Sequence, residues 1–142
     1  MTVTGELSFL ETTVQKTHDW LTALNSKLHW ENYYKSYQAL CAVLQTLRDR
    51  LPMREALDLG AQMPLLIRGA FFEGWSPSHK PAKMDEQEFL QAVSTRYGPD
   101  PAGDPRRLVT AVFELLNEKI SAGEMADVRS NLPQDLQQYW AK

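Results

Sequence analysis

The sequence predicts an all-α protein with seven or eight helices, arranged as two pseudo-repeated four-helix halves in one compact, bundle-like domain. Three observations predict this fold. Apolar residues recur at spacings of three and four, which is the period of an amphipathic helix. The alternating apolar and polar pattern of a half-buried strand does not occur, and neither do the turn dipeptides of hairpins. Prolines and capping residues divide the periodic stretches into segments of ordinary helix length.

Four helices are predicted in the first half, and they cover about residues 6–25, 31–51, 52–62 and 64–74. The second helix has the most regular apolar stripe, which consists of Tyr33, Tyr37, Leu40, Leu44, Leu47 and Leu51. Pro52 and Pro64 mark the starts of the third and fourth helices, because the first position of a helix needs no backbone N–H. Residues 75–83 have no helical period and contain two prolines, so they are predicted to link the two halves.

The second half, about residues 84–141, is predicted to contain four further helices. Their starts are marked by capping residues or prolines, namely Asp85 with Glu88, Asp104 with Pro105, Ser121 with Glu124, and Pro133. A capping side chain accepts a hydrogen bond from a free N–H group in the first turn of its helix. The sixth helix has a clear apolar stripe of its own, formed by Leu108, Val112, Leu115 and Leu116.

The two halves resemble each other when the sequence is shifted by 69 positions. Matches then fall at core, cap and proline positions together: Ala42 with Ala111, Leu47 with Leu116, Leu51 with Ile120, Glu55 with Glu124, Asp58 with Asp127, Met63 with Leu132, and Pro64 with Pro133. Farther upstream, Phe9–Leu10 pairs with Phe89–Leu90 only if the second half is about ten residues shorter. Repeated units that cannot bury their apolar faces alone pack on each other. We therefore expect two copies of one unit, related by a pseudo-twofold axis.

Composition and charge narrow the classes of protein to which this chain can belong. It has 142 residues, of which 43% are hydrophobic and 23% charged, and its net charge is −3. That balance is globular and disfavours nucleic-acid binding, which needs a clustered basic face. No apolar run approaches the ~20 residues of a membrane span, and no secretory signal is evident. The single cysteine permits no internal disulfide. We expect a cytoplasmic protein without a nucleic-acid or membrane partner.

Motifs for catalysis or cofactor binding are not found in the sequence. The histidines at 18, 29 and 79 lie in different predicted elements, and none has the i,i+4 spacing of a helical zinc site. Cys41 stands one position off a leucine stripe, which favours a half-buried structural thiol over a nucleophile. Phosphate-binding loops and nucleophile elbows are also missing. We therefore predict that the chain is not an enzyme, and that it holds no cofactor and no metal.

Four acidic residues recur at matching positions in the two halves: Glu55, Asp58, Glu124 and Asp127. A paired metal site in a helical bundle would require a Glu-x-x-His motif, and neither half has one. Glu55 and Glu124 fall in the first turns of their helices, where a carboxylate is stabilised by the helix dipole. This role explains the repetition of the acids without a function.

The candidate binding surface lies where the fourth helix meets the linker, and it comprises Arg68, Phe72, Glu73, Trp75 and His79. Aromatic and arginine residues commonly anchor interfaces and pockets. Gly69 and Gly74 are costly in a helix and suggest that another group approaches the backbone there. The alternative is that the aromatic rings, including Phe71, form core between the halves.

A second aromatic cluster consists of Trp30, Tyr33, Tyr34 and Tyr37. It favours core packing or a protein contact over base stacking.

These observations favour a non-enzymatic helical module for interaction or oligomerisation, with a homodimer or another protein as partner. The alternative is a domain that binds a small molecule or effector in a pocket near Arg68, Glu73 and Trp75.

Three segments resemble a known family, the bacterial "domain of unknown function 2267" family: "TTVQKTHDWL", "ALCAVLQTLRDRLPMREALDLGAQMPLLIRGAFFEGWSPSHKP" and "LPQDL". The part from Arg48 to Trp75 is the most specific, because it is long and unlike general helix sequence. The resemblance implies a small all-helical bacterial protein. It implies no activity, cofactor or site residue, and it does not support a role for His79.

Overall fold

The computed structural model describes residues 5–76 and 80–140 of the chain. These residues form eight α-helices and two short 3-10 helices, without a strand among them, so the all-α prediction is confirmed. The α-helices are α1 (Glu11–Leu28), α2 (Tyr33–Arg50), α3 (Met53–Ala61), α4 (Leu65–Phe72), α5 (Glu86–Tyr97), α6 (Pro105–Lys119), α7 (Ala122–Ser130) and α8 (Gln134–Gln137). The 3-10 helices, Gly5–Leu10 and Gln138–Trp140, precede α1 and follow α8. None of the described helices is both long and apolar enough to cross a membrane.

Caps and prolines start the helices largely where the sequence predicts. Asp85 and Glu88 form a complete capping box at α5, and Ser121 accepts a hydrogen bond from the backbone N–H of Glu124. The prolines lie one position earlier than predicted, because Pro52, Pro64 and Pro133 each occupy the cap position before the first helical residue. Their φ angles are −59°, −57° and −59°, within the range that the proline ring imposes.

The two long helices, α2 and α6, pack against each other at the centre of the protein. Helix α1 packs mainly on α6, and α5 packs mainly on α2. The first helix of each half therefore lies largely against the long helix of the other half. The buried side chains form one continuous core, which includes Leu24, Leu47, Phe89 and Leu116.

Two ion pairs connect these exchanged helices, and their positions differ by 69 residues. Lys27 of α1 lies 2.5 Å from Glu118 of α6, measured from Nζ to Oε2. Arg96 of α5 lies 2.6 Å from Asp49 of α2, measured from Nη2 to Oδ2. A similar ion pair is thus present twice, once near the C-terminal end of each of the two central helices.

The predicted upstream match between the halves is wrong. Phe9 is 74% exposed, whereas Phe89 and Leu90 are buried in the core. The buried Trp20 stands 69 positions before Phe89, and Leu24 likewise precedes Val93. Buried residues of the two first helices thus match at a shift of 69 without a gap. The match was predicted because both places have the sequence Phe-Leu, and the sequence of such a pair does not show whether it is buried.

Candidate functional site

The predicted binding surface on α4 divides between core and surface. Phe72 is half-buried and its ring centroid lies 4.9 Å from that of buried Phe71 and 5.4 Å from that of Trp75. Phe72 and Trp75 both pack against the hydrophobic core, and Glu73 is exposed. The fifth predicted member, His79, lies outside the described residues. The aromatic rings of this surface therefore contribute chiefly to packing.

Among the described residues, none approaches Gly69 or Gly74 closely. A Cβ atom added to either glycine would meet no other described atom within 4 Å. Gly74 instead has a φ of +77°, a left-handed conformation that side chains other than glycine's rarely adopt. The close approach occurs at Gly60 of α3, where a Cβ would lie 2.5 Å from the Phe72 ring. Because Gly60 has no side chain, the Phe72 ring can lie against its backbone, and α3 and α4 pack closely.

Arg68 joins the end of α3 to the middle of α4. Its Nε donates to the carbonyl of Gly60 at 2.9 Å, and its Nη2 donates to the carbonyls of Met63 at 3.1 Å and Ala61 at 3.3 Å. In the second half Gln137, 69 positions later, donates to the carbonyls of Arg129 and Leu132. These side chains therefore satisfy matching carbonyl groups at the ends of α3 and α7.

Arg48, which was not predicted as a site residue, is a buried arginine of α2 that holds the end of α4. Only 4% of its surface is exposed. Its Nη1 donates to the carbonyls of Phe71 at 3.0 Å and Glu73 at 2.8 Å, and its guanidinium pairs with Asp49 at 2.9 Å. The signal that could have found it is its place directly after Leu47, on the buried side of the leucine stripe.

The recurring acids meet where α3 packs against α7. The two helices are antiparallel, since Gln62 at the end of α3 contacts Ser121 before α7, and Asn131 after α7 contacts Glu55. Carboxylate oxygens of Glu55, Glu124 and Asp127 all lie within 4.8 Å of one another. These three are the acids that could share a cation or a proton in the described part of the chain.

Protonation is the direct consequence of this crowding. The pKa of Glu124 is raised to about 8, first by burial, then by the adjacent Glu55, and further by the charges of Asp58 and Asp127. Glu55 and Glu124 do lie in the first turns of α3 and α7, as predicted. Stabilisation by the helix dipole is therefore only part of their environment, because each also faces the other across the helix contact.

An apolar groove lies between α1, the start of α2 and the start of α4. It encloses about 340 Å³ and is lined by Val14, His18, Leu21, Tyr33 and Leu66, among others. Tyr33 stacks on His18 with 5.2 Å between ring centroids. Tyr33 and Leu66 are both exposed, so the groove is open to a partner.

The other residues of chemical interest lie apart from this groove. Trp30 stacks on Tyr97 with 6.1 Å between ring centroids, and Lys35 lies 4.4 Å from the Trp30 ring. Burial raises the pKa of the Cys41 thiol, which disfavours the reactive thiolate. His29 is exposed at the end of α1.

A polar cleft lies beside Arg68. It encloses about 410 Å³ between α1, the turn from α3 to α4, and the end of α6. Its charged lining consists of Lys16, Asp19, Arg68 and Lys119. Of the predicted surface, Arg68 belongs to this lining, whereas Phe72, Glu73 and Trp75 do not.

The model of one protein family, described as "Uncharacterized conserved protein (DUF2267)", matches residues 17–139. The chain belongs to this family. The match covers α2 to α8 and most of α1 in this DUF2267 protein, so it includes the acid cluster, the polar cleft except Lys16, and the groove except its residues before position 17. A search of curated proteins found no match.

Proposed function

We propose that this chain is a duplicated, non-enzymatic helical module of the cytoplasm that forms a homodimer through an apolar face on its first half. Duplication is supported by the contacts that recur 69 residues apart, including the Lys27–Glu118 and Arg96–Asp49 ion pairs. The exchanged packing of α1 and α5 supports a pseudo-twofold relation between the halves.

A difference between the two halves carries the proposal of a docking face. Within residues 5–76 and 80–140, the large apolar side chains that are exposed are Leu7, Phe9, Tyr33, Tyr34, Met53, Leu57, Leu65 and Leu66. All of them lie in the first half. Leu65 and Leu66 are 57% and 50% exposed. The positions 69 residues later hold Gln134 and Asp135, which are equally placed on the surface.

The same contrast holds on α3, where exposed Met53 and Leu57 match exposed Ala122 and Ala126. The second half shows that these positions tolerate small or polar side chains in this fold. Packing within the chain therefore does not explain the apolar residues of the first half. Clustered exposed apolar residues commonly mark an interface between proteins.

A second copy of the chain is the partner that fits this face best. Each chain carries the apolar residues on one half only, so a twofold contact uses the same face on both copies and closes as a dimer. The groove beside Leu66 gives that face a concave surface for an apolar side chain of the partner copy. A stable dimer would bury roughly 1,200–2,000 Å² in total.

Light scattering after size-exclusion chromatography of the full chain tests this proposal. We expect a mass of twice the 16.2 kDa of one chain. The double substitution Leu65→Gln and Leu66→Asp, which copies Gln134 and Asp135, should give a monomer. Ala126→Asp adds the same charge to the second half and should leave the dimer intact. A wild-type chain that remains monomeric up to about 1 mM contradicts the proposal, as does a double variant that dimerises like the wild type.

A further inference from the structure

We propose that the polar cleft beside Arg68 binds a small phosphate-bearing molecule, independently of the proposed dimer. Three cationic side chains, Lys16, Arg68 and Lys119, line this cleft from α1, α4 and the end of α6. One carboxylate, Asp19, faces them. The balance of three positive charges and one negative charge matches the roughly −1.5 to −2 charge of a phosphate monoester at neutral pH.

The three cations remain available to a ligand. In the described part of the chain, none of them forms an ion pair with a carboxylate. Arg68 uses Nε and Nη2 for backbone carbonyls, and its Nη1 has no hydrogen-bond partner among residues 5–76 and 80–140. Its guanidinium is thereby held in place with one edge free. Asp19 accepts a hydrogen bond from Gln15 at 2.9 Å, so part of its capacity as an acceptor is used.

Two residues in the lining of the cleft supply an apolar contact. Trp20 and Met63 line it, and Trp20 is only 4% exposed. A volume of about 410 Å³ falls within the usual range of small-molecule sites. The phosphate of a bound molecule would thus lie among the cations, with its organic part against Trp20 and Met63.

The matching position in the second half has more acids than cations in its lining, since Arg50 and Lys83 accompany Asp85, Glu88 and Asp135. A cleft there is lined by Arg50, Asp85, Glu88 and Pro133, which stand 69 positions from Lys119, Lys16, Asp19 and Pro64. Asp85 thus stands at the position that Lys16 has in the first cleft, and Asp135 adds another acid. Gln137 takes the position of Arg68. The positive lining is therefore not a requirement of the fold at this position, because the other half forms its cleft without it.

Nuclear magnetic resonance of the full ¹⁵N-labelled chain at low salt tests the proposal. Inorganic phosphate, ribose 5-phosphate and adenosine monophosphate are titrated separately, and acetate serves as the reference anion. We expect a saturable shift of the Trp20 indole signal with the phosphates, and weaker binding of acetate. Trp20→Phe, the residue found at Phe89, identifies that signal. Preference for one organic phosphate over inorganic phosphate would identify the source of the phosphate group.

Matched variants locate the binding. Lys16→Asp, which copies Asp85, and Arg68→Gln, which copies Gln137, should each weaken phosphate binding by about tenfold. Lys83→Asp makes the same charge change as Lys16→Asp in the second cleft and should change the affinity less than about twofold. Equal losses in Lys83→Asp and Lys16→Asp would overturn the proposal. So would a shift that does not saturate, or acetate binding as tight as phosphate binding.

Discussion

Gly60 and Gly69 lie on neighbouring helices in opposite surroundings. Gly60 faces the Phe72 ring so closely that a Cβ would lie 2.5 Å from it, whereas Gly69 faces open space. Gly60 is therefore required by packing. Gly69 only adds conformational freedom to the unfolded chain, which stabilises the unfolded state relative to the fold.

Alanine substitution should separate these two glycines. Gly60→Ala forces the Phe72 ring away and should lower the free energy of unfolding by about 1–3 kcal/mol. Gly69→Ala should raise it by up to about 1 kcal/mol, because alanine favours a helix interior. Urea denaturation followed by circular dichroism measures both changes. The same sign of change for the two variants would contradict the packing described for Gly60.

Helices α2 and α4 are joined by the buried guanidinium of Arg48. It donates hydrogen bonds to two carbonyl groups at the C-terminal end of α4. The last carbonyl groups of a helix have no backbone N–H farther along the same helix to bond them. Its partner Asp49 also binds Arg96 of α5, so three helices meet at this one group of charges. The position of α4 therefore depends on a polar contact within the core as well as on apolar packing.

Arg48→Met should lower the free energy of unfolding by about 2–3 kcal/mol, because it removes the charged donor and leaves the α4 carbonyls without it. Arg54→Met is the matched control. Arg54 is exposed and lies 3.9 Å from Asp58, so its loss should change stability by less than about 0.5 kcal/mol. Thermal denaturation of both variants is the measurement. Equal stability of the two variants would show that the buried contact contributes nothing.

On the scale of the whole molecule, the acid cluster lies where the two halves meet. Glu55 belongs to α3 and Glu124 to α7, and Asp58 and Asp127 also raise the pKa of Glu124. Arg54 of α3 pairs with Asp58 at 3.9 Å. Unfolding separates the acids, so the ordinary value near 4.5 applies in the unfolded chain while the folded value is about 8.

This difference predicts how stability depends on pH. Below about 4.5 Glu124 is protonated in both states, and its contribution to stability is fully present. As pH rises toward 8 the unfolded chain releases the proton more readily, so stability is lost across that window. Glu124→Gln should therefore gain melting temperature relative to wild type as pH rises from 5 to 8. Glu114→Gln, an exposed change on α6, should follow the wild-type profile. Parallel profiles for wild type and Glu124→Gln would refute this assignment.

Local features of this chain were predictable from sequence because they depend on near neighbours. The period of three and four, the Asp85–Glu88 capping box and the prolines before α3, α4 and α8 act within one or two helical turns. The predicted repeat at a shift of 69 needs only a comparison of letters, and it stays a prediction. The predicted binding surface was less accessible, because burial of Phe72 depends on Gly60, twelve positions earlier in another helix.

By itself, then, the sequence determined the helices, their starts and the family to which the chain belongs. Only the tertiary structure decided that α1 packs on α6 and α5 on α2, that the acids of α3 and α7 meet, and that Lys16, Arg68 and Lys119 line one cleft. The physical reason is the separation along the chain of the residues that interact. Helical period and capping are set by residues a few positions apart, whereas these contacts join residues about 50–100 positions apart, which the fold must bring together.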